Sequence, residues 1–171
     1  MKLFKLAIIS VVVLFVILTL LGLLLPSTVR VTRNINIHAP FNTLYHYTGD
    51  MKNWPLWMEN FDAKTMHFTT SQTQGKGAVT AIGKFQIYIV KDTNDTIESV
   101  WQSNNRTHQL CVFQLQNDTA ANTINFNWYF EQKLKWYPWE RLPAIANDKV
   151  FGPFMEHSLD KLKTLAENNE N

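Results

Sequence analysis

The chain has 171 residues, room for one ordinary domain once a targeting segment is set aside. Lys and Arg number 16 against 14 Asp and Glu, scattered singly, which argues against the clustered basic surface that nucleic-acid binding needs. The single cysteine, Cys111, excludes an intrachain disulfide and a cysteine-based zinc site within one chain; set in the apolar run QLCVFQL, it reads as a small buried hydrophobe.

Residues 6 to 25, LAIISVVVLFVILTLLGLLL, form a stretch of 20 without a charge. At ~1.5 Å rise per residue a helix of that length spans ~30 Å, the hydrocarbon thickness of a bilayer. The segment is longer than the apolar region of a cleaved signal peptide and ends in LLLPSTVR, without a small-residue cleavage pattern. Residues 1–27 are therefore expected to be an uncleaved transmembrane signal anchor of a single-pass membrane protein. Lys2 and Lys5 precede the span and Arg30 and Arg33 follow it, a small positive-inside preference for a domain on the extracytoplasmic side.

A domain is expected over residues 28–167, followed by a polar tail, 168–171. VRVTRNINIH places Val29, Val31, Ile35 and Ile37 on one face at period two, so the domain starts with a strand. Pro40 suits the first turn of a helix through FNTLYHYT, closed by Gly49-Asp50. In the next stretch, GDMKNWPLWMENF, Trp54 and Trp57 share one face of a second short helix, with Pro55 in its first turn. That spacing predicts packing of the small helices on the open edge of a sheet, with Trp57 and Met58 or Phe61 near a cavity rim.

From residue 65 the pattern is of strands: TMHFTT, a glycine turn QTQGKGA, then KFQIYIVK, TIESVWQS, THQLCVFQLQ and TINFNWYFEQ. Polar turns at DTND, NNR and NDTAAN separate them, which predicts an antiparallel meander with one solvated face. In the last strand Ile124, Phe126, Trp128 and Phe130 alternate with Asn125, Asn127 and Tyr129. Phe151, Met155, Leu159, Leu162 and Ala166 then recur at helical spacing, an amphipathic helix from about 144 to 166 with Pro153 marking a kink or a late start.

This order resembles the helix-grip fold, and the residues resemble the START-like (SRPBCC) superfamily, in its polyketide cyclase/dehydrase-like branch. The matching pieces are VTRNINIHAPFNTLYHYTGDMKNWPLW and FGPFMEHSLDKLK, and the likeness runs over about residues 29 to 166. It implies an α+β helix-grip domain, with two short helices after the first strand and a long C-terminal helix over a curved antiparallel sheet. It also implies a hydrophobic ligand pocket between sheet and helix, without implying a reaction.

Searching for chemistry gives no catalytic motif. His38, His46, His67, His108 and His157 are isolated, no local metal pair exists, and neither a nucleophile elbow nor a phosphate-binding loop occurs. Glu98, Glu131 and Arg106 read as solvated charges. Asn94, Asn105 and Asn117 head N-x-T glycosylation patterns in turns. No metal or cofactor is expected. The aromatic and methionine residues Trp57, Trp101, Phe113, Phe126, Trp128, Phe130, Phe151 and Met155 are the candidates for the cavity wall; filled core is the competing reading. Trp136, Tyr137 and Trp139, in WYPWERLP, are expected as a lid over the mouth or as a membrane contact, with packing on the domain's own flank as the alternative. The expectation for function is a membrane-anchored binding domain whose partners are the bilayer and a lipid or hydrophobic small molecule. A cyclase- or dehydratase-type enzyme and a stress-related interaction module are the alternatives.

Overall fold

The computed structural model describes residues 2–93, 95–103, 107–144 and 146–168. Asn94, Asn105 and Arg106 lie outside them, as do the last three residues of the tail.

Helix α1 (Lys2–Leu23) is long and apolar enough to cross a membrane, a property that an N-terminal signal sequence shares. Strand β1 (Thr28–Ile37) follows after the short link through Pro26, then helices α2 (Phe41–Gly49) and α3 (Trp54–Trp57). Six strands come next: β2 (Met66–Phe68), β3 (Val79–Ile82), β4 (Phe85–Asp92), β5 (Thr96–Ser103), β6 (Thr107–Asp118) and β7 (Thr123–Lys133). Helices α4 (Pro138–Ala144) and α5 (Asn147–Asn168) close the chain. The strands make one curved antiparallel sheet in the order β1-β7-β6-β5-β4-β3-β2, so the first strand joins the last.

The meander is the one the alternating pattern predicts, with one addition. Val79–Ile82 is a strand that the sequence reading does not assign, lying between the glycine turn QTQGKGA and KFQIYIVK; its four residues show no clear alternation. It turns into β4 through Gly83 and Lys84, and Gly83 adopts φ +56, a conformation glycine enters without steric penalty.

Pairing register fixes which end of the sheet lies beside α1. Val29 pairs with Gln132, Gln132 with Gln109, Gln109 with Trp101, and Trp101 with Ile87. The start of β1 therefore shares a sheet end with the close of β5 and the β3–β4 turn. The β6–β7 turn and the end of β1 are at the opposite end, where Ile37 pairs with Ile124.

Helix α5 lays Gly152, Met155, Ser158, Leu159, Leu162 and Ala166 on the sheet and runs unbroken through Pro153. Its direction is fixed by β1: Arg33 reaches its first turns, and the His38 backbone N–H donates to Glu167 at its far end. Arg33 Nη1 donates to Asp148 at 2.8 Å and Nε to Glu156 at 2.6 Å, with the guanidinium passing over Gly152. Hydrogen bonding to Arg33 holds the Asp148 carboxyl below its usual range. A Cβ at Gly152 would strike Arg33 Nη2, which accounts for glycine in mid-helix. Gly152→Ala is accordingly expected to lower stability by ~1 kcal/mol, overpacking outweighing the gain in helix propensity. In an Arg33→Ala background the same substitution should stabilise by ~0.5–1 kcal/mol, because only propensity remains. Urea titrations of the four proteins check this; G152A effects of equal sign in both backgrounds would refute the steric account.

The two tryptophans of α3 reach the centre of the sheet, which corrects the expectation of edge packing. Trp54 stacks on Trp101 at 6.3 Å and meets Phe113 edge-on at 5.6 Å. Trp57 meets Phe113, Phe126 and Trp128 at 5.5–6.3 Å between ring centroids. Their indole N–H groups donate to Thr48 and Tyr47 carbonyls at 2.8 and 2.9 Å, satisfying the end of α2, whose last carbonyls have no intrahelical donor. Both side chains are fully buried. Of the buried core none is N-terminal to Val31, so the domain's core is complete without α1.

Candidate functional site

Where α3 covers the sheet, the interior is full. Beyond it, toward the β3–β4 turn, the sheet and α5 diverge around a cavity of about 290 Å³. Its floor is Ile87, Trp101, Gln109 and Phe130, its roof Val150, Phe151 and Phe154 of α5, and its side Glu59, Asn60, Phe61, Ile82 and Phe85. The aromatic walls are in mutual contact: Trp101–Phe130 at 5.1 Å, Phe61–Trp101 at 5.5 Å and Phe130–Phe151 at 5.6 Å. Strand alternation supplies the floor, since Ile87, Trp101 and Phe130 all fall on the inward face. Helical spacing supplies the roof, with Phe151 and Phe154 three residues apart.

A second space of about 230 Å³ continues the cavity outward, sharing Phe85, Trp101, Gln109 and Phe151 and adding Lys84 and Ser103. The cavity thus leads out at the sheet end where β1 begins, between the β3–β4 turn, the close of β5 and the first turns of α5. A larger depression, about 730 Å³, lies between α2 and the other end of β6. Its lining, Phe41, Asn42, Tyr45, Asp95, Leu115, Gln116 and Asn117, is mixed, with four polar residues in seven against three in twelve for the cavity under α5.

Of the residues expected in the wall, Trp101, Phe130 and Phe151 line the cavity. Trp57, Phe113, Phe126, Trp128 and Met155 do not; they are at most 1% exposed, in the filled part of the core beneath α3 and α5. The two indoles of α3 make the division. Phe61, expected near the rim, is in the wall. Phe154, Phe85, Ile82, Ile87, Val150, Gln109, Glu59 and Asn60 were not named as wall residues from the sequence; the alternation of KFQIYIVK puts Phe85 and Ile87 on one face, and Phe154 has helical spacing from Phe151.

Among the described lining residues Glu59 is the single titratable one, and its carboxylate is 3.3 Å from His157 Nδ1. Cys111 is remote from the cavity: its thiol accepts from the Trp128 indole N–H at 3.2 Å, and burial pushes its pKa up to about 12. Glu98 and Glu131, read as solvated, pair with Lys91 and Arg30. Asn117 is exposed at the end of β6.

Trp136, Tyr137 and Trp139 do not cover the mouth. Most of WYPWERLP folds as α4, which packs against α1. Pro138 sits on Gly22, Tyr137 stacks on Trp139 at 5.0 Å, and the Trp139 ring is 6.4 Å from Phe15. Arg141, which the sequence reading passed over, is the fastener. Its Nη1 donates to the Leu25 and Gly22 carbonyls at 3.0 and 3.2 Å, and its Nε donates to the Lys135 carbonyl at 2.9 Å. A guanidinium on the last carbonyls of a helix meets both their hydrogen-bonding need and the negative end of its dipole.

No protein-family model matches the sequence, and no curated protein matches it. Solved structures do. A protein from Nitrosospira multiformis is similar over 83% of this chain and 99% of its own, with TM-score 0.63 and 11% identity. A hypothetical protein from Helicobacter pylori is similar over 81% of this chain and 88% of its own, at TM-score 0.59 and 10% identity. One from Chromobacterium violaceum gives 0.56 and 14%, over 83% and 99%. At such identities the likeness is one of fold.

Proposed function

We propose that the chain is a single-pass, membrane-anchored domain of the START-like helix-grip type, in the polyketide cyclase/dehydrase-like branch. Its role is to hold a lipid or other hydrophobic small molecule between sheet and α5, without covalent chemistry. The observation that carries this reading is the apolar cavity between the N-terminal half of α5 and β4, β5 and β7. At about 290 Å³ it is at the small end of ligand pockets, which run ~300–1,000 Å³, so a single acyl chain or a small ring system is the size that fits. Nine of its twelve lining side chains are apolar, which gives such a ligand burial without demanding hydrogen bonds. The anchor reading rests on the charge-free length of α1, and the extracytoplasmic placement on Lys2 and Lys5 ahead of it. Protease protection in sealed vesicles reads the orientation.

The domain from Thr28 onward, whose core is independent of α1, tests the binding. A fluorescent fatty acid should bind it saturably at one site per chain, and solvent extraction of the purified domain should release a bound apolar molecule. A domain that extracts empty and leaves the probe in water would end this reading. The enzyme alternative has one place to stand, the rim pair Glu59 and His157. Glu59→Gln should leave probe uptake intact if the site is a carrier's.

A further inference from the structure

Two polar side chains stand on the inward face of the sheet, where the core calls for apolar ones. Phe85 pairs with Ser103, Ile87 with Trp101, and Trp101 with Gln109 on the next strand, so these five share that face. Phe85, Ile87 and Trp101 are apolar lining of the cavity. Ser103 and Gln109 stand where it leads out, and with Lys84, Trp101 and Phe151 they border one continuous space. The Gln109 amide gives one N–H to Gln132 at 3.3 Å and keeps a second.

Lys84 is fixed at this outlet by the chain itself. Only Gly83 and Lys84 join β3 to β4, and Ile82 pairs directly with Phe85. The Lys84 ammonium lies 5.7 Å from the centroid of the Phe85 ring, a wall of the outlet. Among the described residues no carboxylate pairs with it.

Farther along α5 the charge is of the opposite sign. Glu59 lines the cavity but not its outlet; its backbone N–H donates to Ser158 Oγ at 2.9 Å, and its carboxylate is 3.3 Å from His157 Nδ1. His157 and Ser158 follow Phe151 by six and seven residues, ~10 Å along the helix. An amphiphile whose tail fills the apolar middle can keep an anionic head partly hydrated at the outlet, against an ammonium. A cationic head would have to sit against Lys84, or cross the apolar middle stripped of water to reach Glu59. One ammonium, one hydroxyl and one amide, with no arginine among the outlet residues, match a single carboxylate better than a doubly charged phosphate.

We propose that the ligand is a single-chain carboxylic acid. Its chain lies between Trp101, Phe130 and Phe154, and its carboxylate stands at the outlet and accepts from Lys84, Ser103 and Gln109. The assignment rests on the cavity being a site for an apolar ligand, and adds which head it selects and which way round the ligand lies.

The domain from Thr28 onward, whose core includes no residue of α1, carries the test, with a neutral polarity-sensitive dye as reporter. Dodecanoate, dodecanol and dodecylamine share one chain and differ in the head; each is titrated at neutral pH below its micelle-forming concentration. Dodecanoate should displace the dye at about fivefold lower concentration than dodecanol, with dodecylamine the weakest. Lys84→Gln should bring dodecanoate level with dodecanol and leave dodecanol unchanged. Lys84→Glu should place dodecylamine ahead of dodecanoate. Lys84 is exposed in a turn, so neither substitution touches the core. Three heads that compete equally, or a dodecanoate preference that survives Lys84→Glu, overturn the assignment while the cavity reading stands. Failure of all three to compete overturns the cavity reading, and the assignment falls with it.

Discussion

Trp57→Ala is expected to lower the unfolding free energy of the domain by ~3–5 kcal/mol, in line with other buried tryptophan or phenylalanine truncations. Trp57 is fully buried, touches three aromatic rings from β6 and β7, and donates its indole N–H to the Tyr47 carbonyl. Truncation opens a void that the stiff rings of Phe113, Phe126 and Trp128 cannot collapse into, and it removes one of the two indole donors at the end of α2. Domains of this size hold ~5–15 kcal/mol in all, so the variant should be folded but marginal. With a urea slope of ~1–3 kcal/mol/M its midpoint should fall by ~1–5 M. Trp57→Phe keeps one aromatic ring while removing the indole N–H and its outer volume, and should cost less, ~1–3 kcal/mol. Midpoints for both variants within about 0.3 M of the parent would mean that α3 is not the plug described here.

The second large effect concerns binding. Phe151→Asp should weaken fluorescent fatty-acid binding to the domain at least tenfold, ~1.4 kcal/mol or more, because a carboxylate at the outlet must be desolvated when an apolar chain enters. Phe151 is half-buried, lines both the cavity and its outward continuation, and stands 5.6 Å from Phe130. Its loss should therefore lower stability far less than Trp57→Ala does. Val90→Asp, at an exposed apolar position of β4 away from the cavity, is the control and should leave uptake unchanged. Titration of the three proteins with one probe decides the matter. If Phe151→Asp and Val90→Asp bind it as tightly as the parent, the probe sits elsewhere and the cavity is not its site.

Both predictions turn on a division the sequence could not make. Strand alternation in TINFNWYFEQ places Ile124, Phe126, Trp128 and Phe130 on the inward face, and all four are buried there. Helical spacing likewise identifies the stripe of α5 from Met155 to Ala166. Periodicity reports the face a residue takes and says nothing of what lies opposite. Trp128 and Phe130 are two residues apart on one strand, yet one is covered by Trp57 and the other borders the cavity. The short helix α3 decides between them, held over mid-sheet by indole hydrogen bonds to α2.

The same distinction governs the end of the sheet where β1 starts. The sequence alone determined that residues 6–25 can span a bilayer, and that strands, two small helices and a long amphipathic helix follow. Each of these is a local pattern of hydrophobicity, charge and turn chemistry, readable within a window of a few residues. Only the tertiary structure decided that WYPWERLP docks on α1 through Arg141 and Pro138 instead of roofing the pocket. It also decided that the cavity opens at the sheet end where β1 starts. Those outcomes depend on the pairing register of β1 with β7 and on contacts between residues more than a hundred positions apart, which no local pattern encodes.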